Sequence, residues 1–398
     1  MKLTYRHTLS ACHVCFIIQS IVNNYSPLLF VTYASEFALT LDQLTLLVTF
    51  NFIVQMAVDA IGVRWADKIG YRRGMVIAHA TSFFGIAGLA LFTKILFPFA
   101  GLMLATVFCA LGSGFIEVIA SPVVEALPTD EKSSAMSLLH SFYCWGHIAI
   151  VLLSTLFFAL FGTENWRILT LLWALVPALN CVAFFFVPVV EPQGGEAERL
   201  SVRGIARMPE FKFFLMLMIC GGAAEQAIAQ WSSMFAESGL GVSKTVGDLL
   251  GPCLFGLMMA LARTFYGAMG GRIPLAKFMT VGAVGIFAGT MLTVLSPIPE
   301  LALVGCGMVG VFVGIFWPGT LSLAAGRLPQ AGAAMFAMLA LAGDIGCALG
   351  PGIVGFVAEK IGTSDGLKAG IFCSIIFPIL ALLSLIALQI RDKSAKKK

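Results

Sequence analysis

Long apolar runs recur along the whole sequence and are separated by short polar stretches. Most runs hold about 20 residues, the length that an α-helix needs to cross the hydrocarbon core of a membrane. Because backbone N–H and C=O groups cannot stay unpaired in lipid, we expect each run to form a helix. The pattern predicts twelve membrane-spanning helices, which begin near the following residues: Thr8, Leu41, Gly74, Pro98, Ser134, Trp166, Phe211, Val246, Leu275, Pro299, Gly332 and Leu367.

The longest polar stretch lies near the middle of the chain, at residues 191–210. It contains Pro, Gly and charges of both signs, so we interpret it as a cytoplasmic linker between residues 1–190 and residues 211–398. Each half holds six predicted helices. Pro122, near the fourth run, and Pro318, near the tenth, lie about half a chain apart and occupy matching positions. A Leu-Pro pair follows each of them a few residues later. Such a repeat predicts two six-helix bundles around a central cavity.

Composition supports an integral membrane protein. The chain is 59% hydrophobic and only 12% charged, about half the charged share of a soluble domain. The predicted helices place five of the 25 Lys and Arg residues on the side opposite the N-terminus: Lys94, Arg167, Lys244, Lys360 and Lys368. This bias predicts that both termini, including a basic C-terminal tail, are cytoplasmic. It also explains the net charge of +4 without nucleic acid as a partner.

Three of the acidic residues inside predicted helices form a first candidate set. Glu117, Glu225 and Asp344 lie in the fourth, seventh and eleventh runs. A charged side chain at the centre of a bilayer costs roughly 2.5–3.5 kcal/mol, and a protein keeps one where it faces the interior of a helix bundle. We interpret these three acids as proton-coupling residues, and a hydrogen-bonded packing carboxyl is the alternative for Glu117. Ser113 and Ser121 share its helix face.

Amides, histidines and aromatic residues at similar depth form a second candidate set. Amides together with aromatic faces suit a polyhydroxylated or amphipathic solute. The residues that we predict to bind substrate are Gln19, Asn23, Asn24, His140, Tyr143, Gln226, Gln230, Trp231 and Trp317. Trp231 also fits a membrane-interface residue, and His140 fits a neutral side chain bonded to a carbonyl. Asn51, Gln55 and Asp59 form a seam that could equally hold helices together.

Residues 62–74, GVRWADKIGYRRG, form a basic loop between the second and third runs. The loop resembles the one that joins the second and third helices in the major facilitator superfamily. Asp67, Gly70, Arg72 and Arg73 match that pattern, whereas Tyr71 stands where the pattern has an arginine. The resemblance implies the major facilitator fold. It also implies that these four matching residues form a conformational latch, while a generic basic loop remains the alternative.

Four further stretches resemble the fucose–proton symporter-like branch of that superfamily. They are the Asn23-Asn24 pair, LGSGFIEVIASPVVEALP around Glu117, AAEQAIAQW around Glu225, and GIFWPGTLSLA around Trp317. The resemblance implies uptake of a sugar together with a proton by alternating access. Pro27 stands where that branch has an aspartate in the first helix, so the expected proton-handling pair is incomplete, and Asp344 is a candidate replacement.

These observations predict a monomeric secondary active transporter of the cell membrane. Its partners would be a small polar solute, protons and membrane lipid, with a sugar as the solute that the resemblance implies. A proton-driven efflux antiporter for amphipathic compounds is the alternative. We predict no enzyme activity, metal or cofactor, because we find no His-Glu-x-x-His motif, nucleophile elbow or phosphate loop.

Overall fold

The fold consists of long helices that match the apolar runs. A computed structural model of the protein describes residues 3–128, 132–190, 202–269, 274–328, 332–362 and 364–395. Within these ranges, twelve helical stretches are long and apolar enough to cross a membrane. We number them as the first to twelfth spans: Tyr5–Phe37, Leu41–Ile61, Tyr71–Ile95, Pro98–Glu125, Leu138–Phe161, Thr163–Phe186, Phe211–Gly239, Lys244–Tyr266, Leu275–Leu295, Pro299–Arg327, Met335–Ile361 and Asp365–Arg391. The predicted twelve-helix, all-α membrane architecture is confirmed.

Several spans contain an interruption of the helix. The seventh and eighth carry π-helical turns at Phe235–Gly239 and Leu249–Cys253, and Pro252 lies in the second of these. The helical segments, in chain order, are Tyr5–Asn24, Phe30–Phe37, Leu41–Ile69, Tyr71–Ile95, Pro98–Glu125, Lys132–Phe161, Trp166–Phe186, Val202–Ala206, Phe211–Met234, Lys244–Asp248, Leu254–Met269, Leu275–Leu295, Pro299–Val313, Phe316–Arg327, Gly332–Ile361, Ser364–Cys373 and Ile376–Ala395.

The first span is broken near Pro27. Its first helix ends at Asn24, a 3₁₀ turn runs over Ser26–Leu29, and a second helix begins at Phe30. Proline lacks a backbone N–H and cannot continue an α-helical ladder, which explains the position of the turn. The second helix is fastened to the sixth span, because the Glu36 carboxylate accepts a hydrogen bond from the Trp166 indole at 2.8 Å and pairs with Arg167.

The chain forms two compact units, Met1–Gly195 and Glu196–Lys398. Within the first unit, the third span packs against the fourth and sixth, and the first span packs against the fourth, fifth and sixth. The core of this unit comes mainly from the first, third, fourth and sixth spans, with Ile18, Met75, Ile116 and Phe184 among its buried side chains. The second span lies against the fourth.

Close helix packing organises the second unit. The seventh span packs against the eleventh and twelfth, the ninth against the tenth and twelfth, and the eighth against the tenth. Gly346 of the eleventh span lies so near the seventh that an added Cβ atom would be 2.1 Å from the Ile219 carbonyl oxygen. Small residues at such positions let two helix backbones approach closely, which drives helix association in membranes.

Substitution of Gly346 tests this packing. Gly346→Ala must push the seventh and eleventh spans apart, and overpacking of this kind typically costs about 1–3 kcal/mol. We therefore expect a lower midpoint of thermal unfolding for the purified protein in detergent. Gly326→Ala is the matched control, since a Cβ added there meets no atom within 4 Å and alanine favours the helix. Equal midpoints for the two variants would contradict the close approach.

Candidate functional site

Glu117, in the fourth span, is the centre of a polar cluster in the first unit. Its Oε2 atom accepts hydrogen bonds from the Gln19 side-chain amide at 2.7 Å and from the Gln55 side-chain amide at 2.8 Å. Gln19 belongs to the first span and Gln55 to the second, and both are buried. Hydrogen bonds to an ionised acceptor are about twice as strong as neutral ones. The carboxylate is therefore held by two neutral donors from two different helices.

A second set of amide contacts lies one helical turn away. Asn51 donates through Nδ2 to the Asn23 Oδ1 atom at 3.2 Å. Asn23 follows Gln19 by four residues and Asn51 precedes Gln55 by four, so both members of each pair share a helix face. The first and second spans are thus linked at two levels, once through Glu117 and once directly. We call Gln19, Asn23, Asn51, Gln55 and Glu117 the Glu117 cluster.

The fifth span contributes Tyr143 and His140 in different ways. The Asn24 side-chain amide lies 3.3 Å from the Tyr143 hydroxyl, and it also donates to the Ser20 carbonyl of its own helix at 3.0 Å. Tyr143 therefore reaches the helix that carries Gln19 and Asn23. His140 makes an edge contact with the Phe16 ring, with 4.9 Å between the centroids. The fifth span thus contacts the first span through both of these predicted residues.

In the second unit, Glu225 lies beside a cation. The Arg263 guanidinium approaches the Glu225 carboxylate at 3.7 Å, and its Nε–H donates to the Gly314 carbonyl at 3.0 Å. Gly314 is in the interruption of the tenth span. Arg263 thereby connects the seventh, eighth and tenth spans and balances a charge that would otherwise be costly in the membrane.

The other predicted residues of the second unit are arranged along the seventh, tenth and eleventh spans. The Gln230 amide donates to the Gln226 Oε1 atom at 2.9 Å, so the two side chains lie on the same face of the seventh span. Trp231 is fully buried, and its indole N–H donates to the Pro351 carbonyl at 3.0 Å. This burial does not favour the membrane-interface alternative for Trp231. Asp344 is also buried.

Trp317 packs against Gly343, the residue that precedes Asp344 in the eleventh span. A Cβ atom added to Gly343 would lie 2.4 Å from the Trp317 ring, so the indole covers the eleventh span where glycine leaves room. Trp317 itself is partly exposed. The structure therefore places one aromatic face beside the backbone that carries the third predicted acid.

The basic loop forms a tight turn with one strong contact. Gly70 has a φ angle of +86°, a conformation that favours glycine, and it joins the second and third spans. Arg72 donates from Nη1 to the carbonyl oxygens of Phe184 at 2.7 Å and Phe185 at 3.1 Å. A cation at the C-terminal end of a helix also interacts favourably with the helix dipole. Arg73 is exposed, and the Asp67 side chain lies outside the described residues.

Two groups of partners were not predicted from the sequence as part of the site. Asn51 and Gln55 were recognised as a polar seam, yet nothing in the seam shows that Gln55 contacts Glu117. Arg263 lies at the end of the eighth run, and nothing in its position identifies Glu225, with which it pairs. Spacing of four residues identifies a shared helix face, and an unpaired intramembrane charge calls for a partner, but neither signal identifies that partner.

Comparisons with known proteins agree on the fold. A family model described as the Major Facilitator Superfamily matches residues 11–259. Comparison with curated protein sequences finds no match. A bacterial homologue of the human lysosomal transporter Spinster, in an inward-facing and occupied conformation, is similar in structure, with a TM-score of 0.76 and 13% identity over 96% of each chain. Its unoccupied form gives 0.74 and 13% identity over 95% of each chain.

A nucleoside transporter is also similar. A mutant of NupG superposes with a TM-score of 0.73 and 12% identity, covering 96% of this chain and 99% of that one. Identities this low establish a common fold and nothing about substrate. The predicted resemblance to the superfamily is confirmed by the family match, whereas the narrower resemblance to one branch of it stays a prediction.

The Glu225–Arg263 pair can be tested by a double-mutant cycle. Arg263→Met leaves the buried carboxylate without its cation, and breaking a buried pair costs roughly 3–5 kcal/mol; we expect less here because the Arg263 side chain is 24% exposed. Glu225→Gln in the same chain removes the charge and should restore most of the lost stability. Thermal unfolding of the purified variants measures both effects. A double variant as unstable as Arg263→Met would show that the pair is not energetically coupled.

Proposed function

The chain belongs to the Major Facilitator Superfamily, and we propose that it carries a small polar solute into the cell together with protons, by alternating access. Membership makes the protein a secondary transporter of the membrane rather than an enzyme. Proton coupling, the direction of transport and the solute are our proposal. One observation carries it: a carboxylate within the fourth span is held by two amide donors from two other spans.

Proton coupling needs an acid that is stable in both protonation states at membrane depth. The amides of Gln19 and Gln55 stabilise the ionised Glu117, while apolar surroundings favour its neutral form. An amide group can also rotate to present its oxygen to a protonated carboxyl. The Glu117 cluster can therefore stabilise either state. A change of protonation alters which conformation of the transporter is preferred, and this couples proton movement to solute movement.

Glu225 would play a different part from Glu117. Its charge is balanced by Arg263 in this structure, so gaining a proton would weaken the contact with Arg263 and with the spans that this side chain connects. The branch that this chain resembles has an aspartate in the first helix where this chain has Pro27. Asp344 remains the candidate replacement for that aspartate. We assign the primary proton carrier to Glu117 because its hydrogen-bond donors are neutral.

The candidate solute is polyhydroxylated. The predicted substrate-binding set includes the amide side chains of Asn23, Gln226 and Gln230 and the indole of Trp317. Amide groups both donate hydrogen bonds to hydroxyl groups and accept them. The resemblance to the fucose–proton symporter-like branch favours a sugar. We include nucleosides among the solutes to be tested because they also carry a sugar ring. We further propose a monomer with both termini in the cytoplasm, surrounded by lipid.

Replacement of Glu117 tests the proton step. Glu117→Gln keeps the size of the protonated side chain but cannot release a proton. In proteoliposomes we expect it to lose solute accumulation driven by an inward proton gradient by more than about tenfold, while exchange of labelled for unlabelled solute continues. The solute is first selected by a thermal-shift screen of sugars and nucleosides. Glu164→Gln, at an exposed residue in the first turn of the sixth span, is the control.

The outcomes separate the hypotheses. If Glu117→Gln accumulates solute like the unchanged protein, Glu117 is not the proton carrier. If the same inward gradient drives solute out of the vesicles, the protein is the efflux antiporter that is the alternative here. A pH-sensitive dye inside the vesicles records proton entry on addition of solute, and it should respond with the Glu164→Gln variant and not with Glu117→Gln.

Arg72→Ala tests the latch. Removal of the two bonds to Phe184 and Phe185 should alter exchange between conformations rather than the solute site. We expect the maximal uptake rate to fall several-fold with an unchanged half-saturation concentration. Arg73→Ala is the matched control at the neighbouring, exposed position, and its effect should be smaller. A large change in half-saturation for Arg72→Ala would contradict a purely conformational role.

A further inference from the structure

An apolar groove opens on the surface of the second unit, lined by none of the residues considered so far. Its volume is about 270 Å³, roughly that of nine water molecules in the liquid. The lining consists of apolar side chains and glycine from the eighth, ninth and tenth spans, including Ala262, Phe265, Gly282, Phe312 and Ile315. Water makes few hydrogen bonds in such surroundings, so the groove favours an apolar occupant.

The residue sizes explain why the groove exists. Ala262 and Gly282 form its floor, where larger side chains would fill the space. Leu261, Phe265 and Val281 form its rim and are 50%, 53% and 60% exposed. Because these three residues lie on membrane spans, their exposed surface faces lipid hydrocarbon. The groove therefore opens toward acyl chains, and not toward water.

An exposed lysine adjoins one of the groove residues in the chain. Phe278, which lines the groove, is in the first turn of the ninth span, and the exposed Lys277 precedes it. Tyr266, near the end of the eighth span, stacks against Phe278 with 5.0 Å between ring centroids. Tyrosine and lysine at the end of a membrane span are typical of the level of the lipid headgroups. Their donors match the phosphate group of a lipid.

We propose that this groove binds an anionic phospholipid, with one acyl chain between the eighth, ninth and tenth spans and its headgroup beside Lys277. A lysine near the membrane surface attracts an anionic lipid by about 1 kcal/mol. An acyl chain that enters the groove leaves similar hydrocarbon, so it gains van der Waals packing against the groove and no hydrophobic transfer energy. The groove thus supplies a shape that fits an acyl chain, and the lysine supplies the preference for a negative headgroup. This site is independent of the proposed transport mechanism.

Lipid retention by the purified full-length protein tests the proposal without any transport measurement. Native mass spectrometry counts the phosphatidylglycerol and phosphatidylcholine molecules that stay bound during a titration in detergent. We expect preferential retention of phosphatidylglycerol. Ala262→Leu fills the floor of the groove and should weaken that retention by about tenfold or more. Lys277→Gln should weaken it about fivefold, the equivalent of 1 kcal/mol, and bring it close to phosphatidylcholine.

Matched controls separate the groove from the general lipid surface. Ala288→Leu enlarges an exposed alanine on the ninth span outside the groove, and Lys212→Gln removes an exposed lysine from the start of the seventh span. Both should change retention less than twofold. Should Ala262→Leu fold poorly, Lys277→Gln still decides the headgroup preference. Equal retention of the two lipids by the unchanged protein would overturn the proposal, as would test variants that behave like their controls.

Discussion

The structure depends on one constraint, which is that the hydrocarbon core of a membrane offers no hydrogen bonds. Backbone groups meet it by forming helices. Polar side chains meet it only by finding partners within the protein, and their contacts join spans that are distant in sequence. Gln19 and Gln55 meet on Glu117, and Arg263 joins Glu225 to the interruption of the tenth span. The polar residues of this chain are therefore both the candidate machinery and a large part of what fixes helix against helix.

The two units satisfy that constraint for their acids in different ways. Glu117 accepts hydrogen bonds from two neutral amides, whose orientation can follow its protonation. Glu225 is balanced by a guanidinium, which stays charged in proteins, so its contact strengthens or weakens as the acid loses or gains a proton. Two halves that echo each other in sequence thus hold their acids by unlike means, and this difference is the basis for assigning them different parts in coupling.

Much of the fold is readable from the sequence because a membrane helix is defined by length and apolarity, both of which are local properties. The twelve spans follow from that. The partners of the polar residues do not, since a four-residue spacing shows which residues share a face and says nothing about the helix opposite. Gln55 and Arg263 were visible as polar residues but not as partners of Glu117 and Glu225. Trp231 likewise has the amphipathic character of an interface residue, and only tertiary packing shows that Pro351 accepts its N–H.

The break in the first span has a mechanical consequence for the first unit. Gln19 and Asn23, which contact Glu117 and Asn51, precede the 3₁₀ turn, whereas Glu36, which is fastened to Trp166 and Arg167, follows it. The residues that hold the carboxylate and the residue that holds the sixth-span indole thus lie on opposite sides of the turn, although the first part also reaches the sixth span through Asn180 and the Ala11 carbonyl. The helical ladder is interrupted between them, so a substitution that disturbs Glu36 acts on a part of the span separate from the amides that donate to the acid.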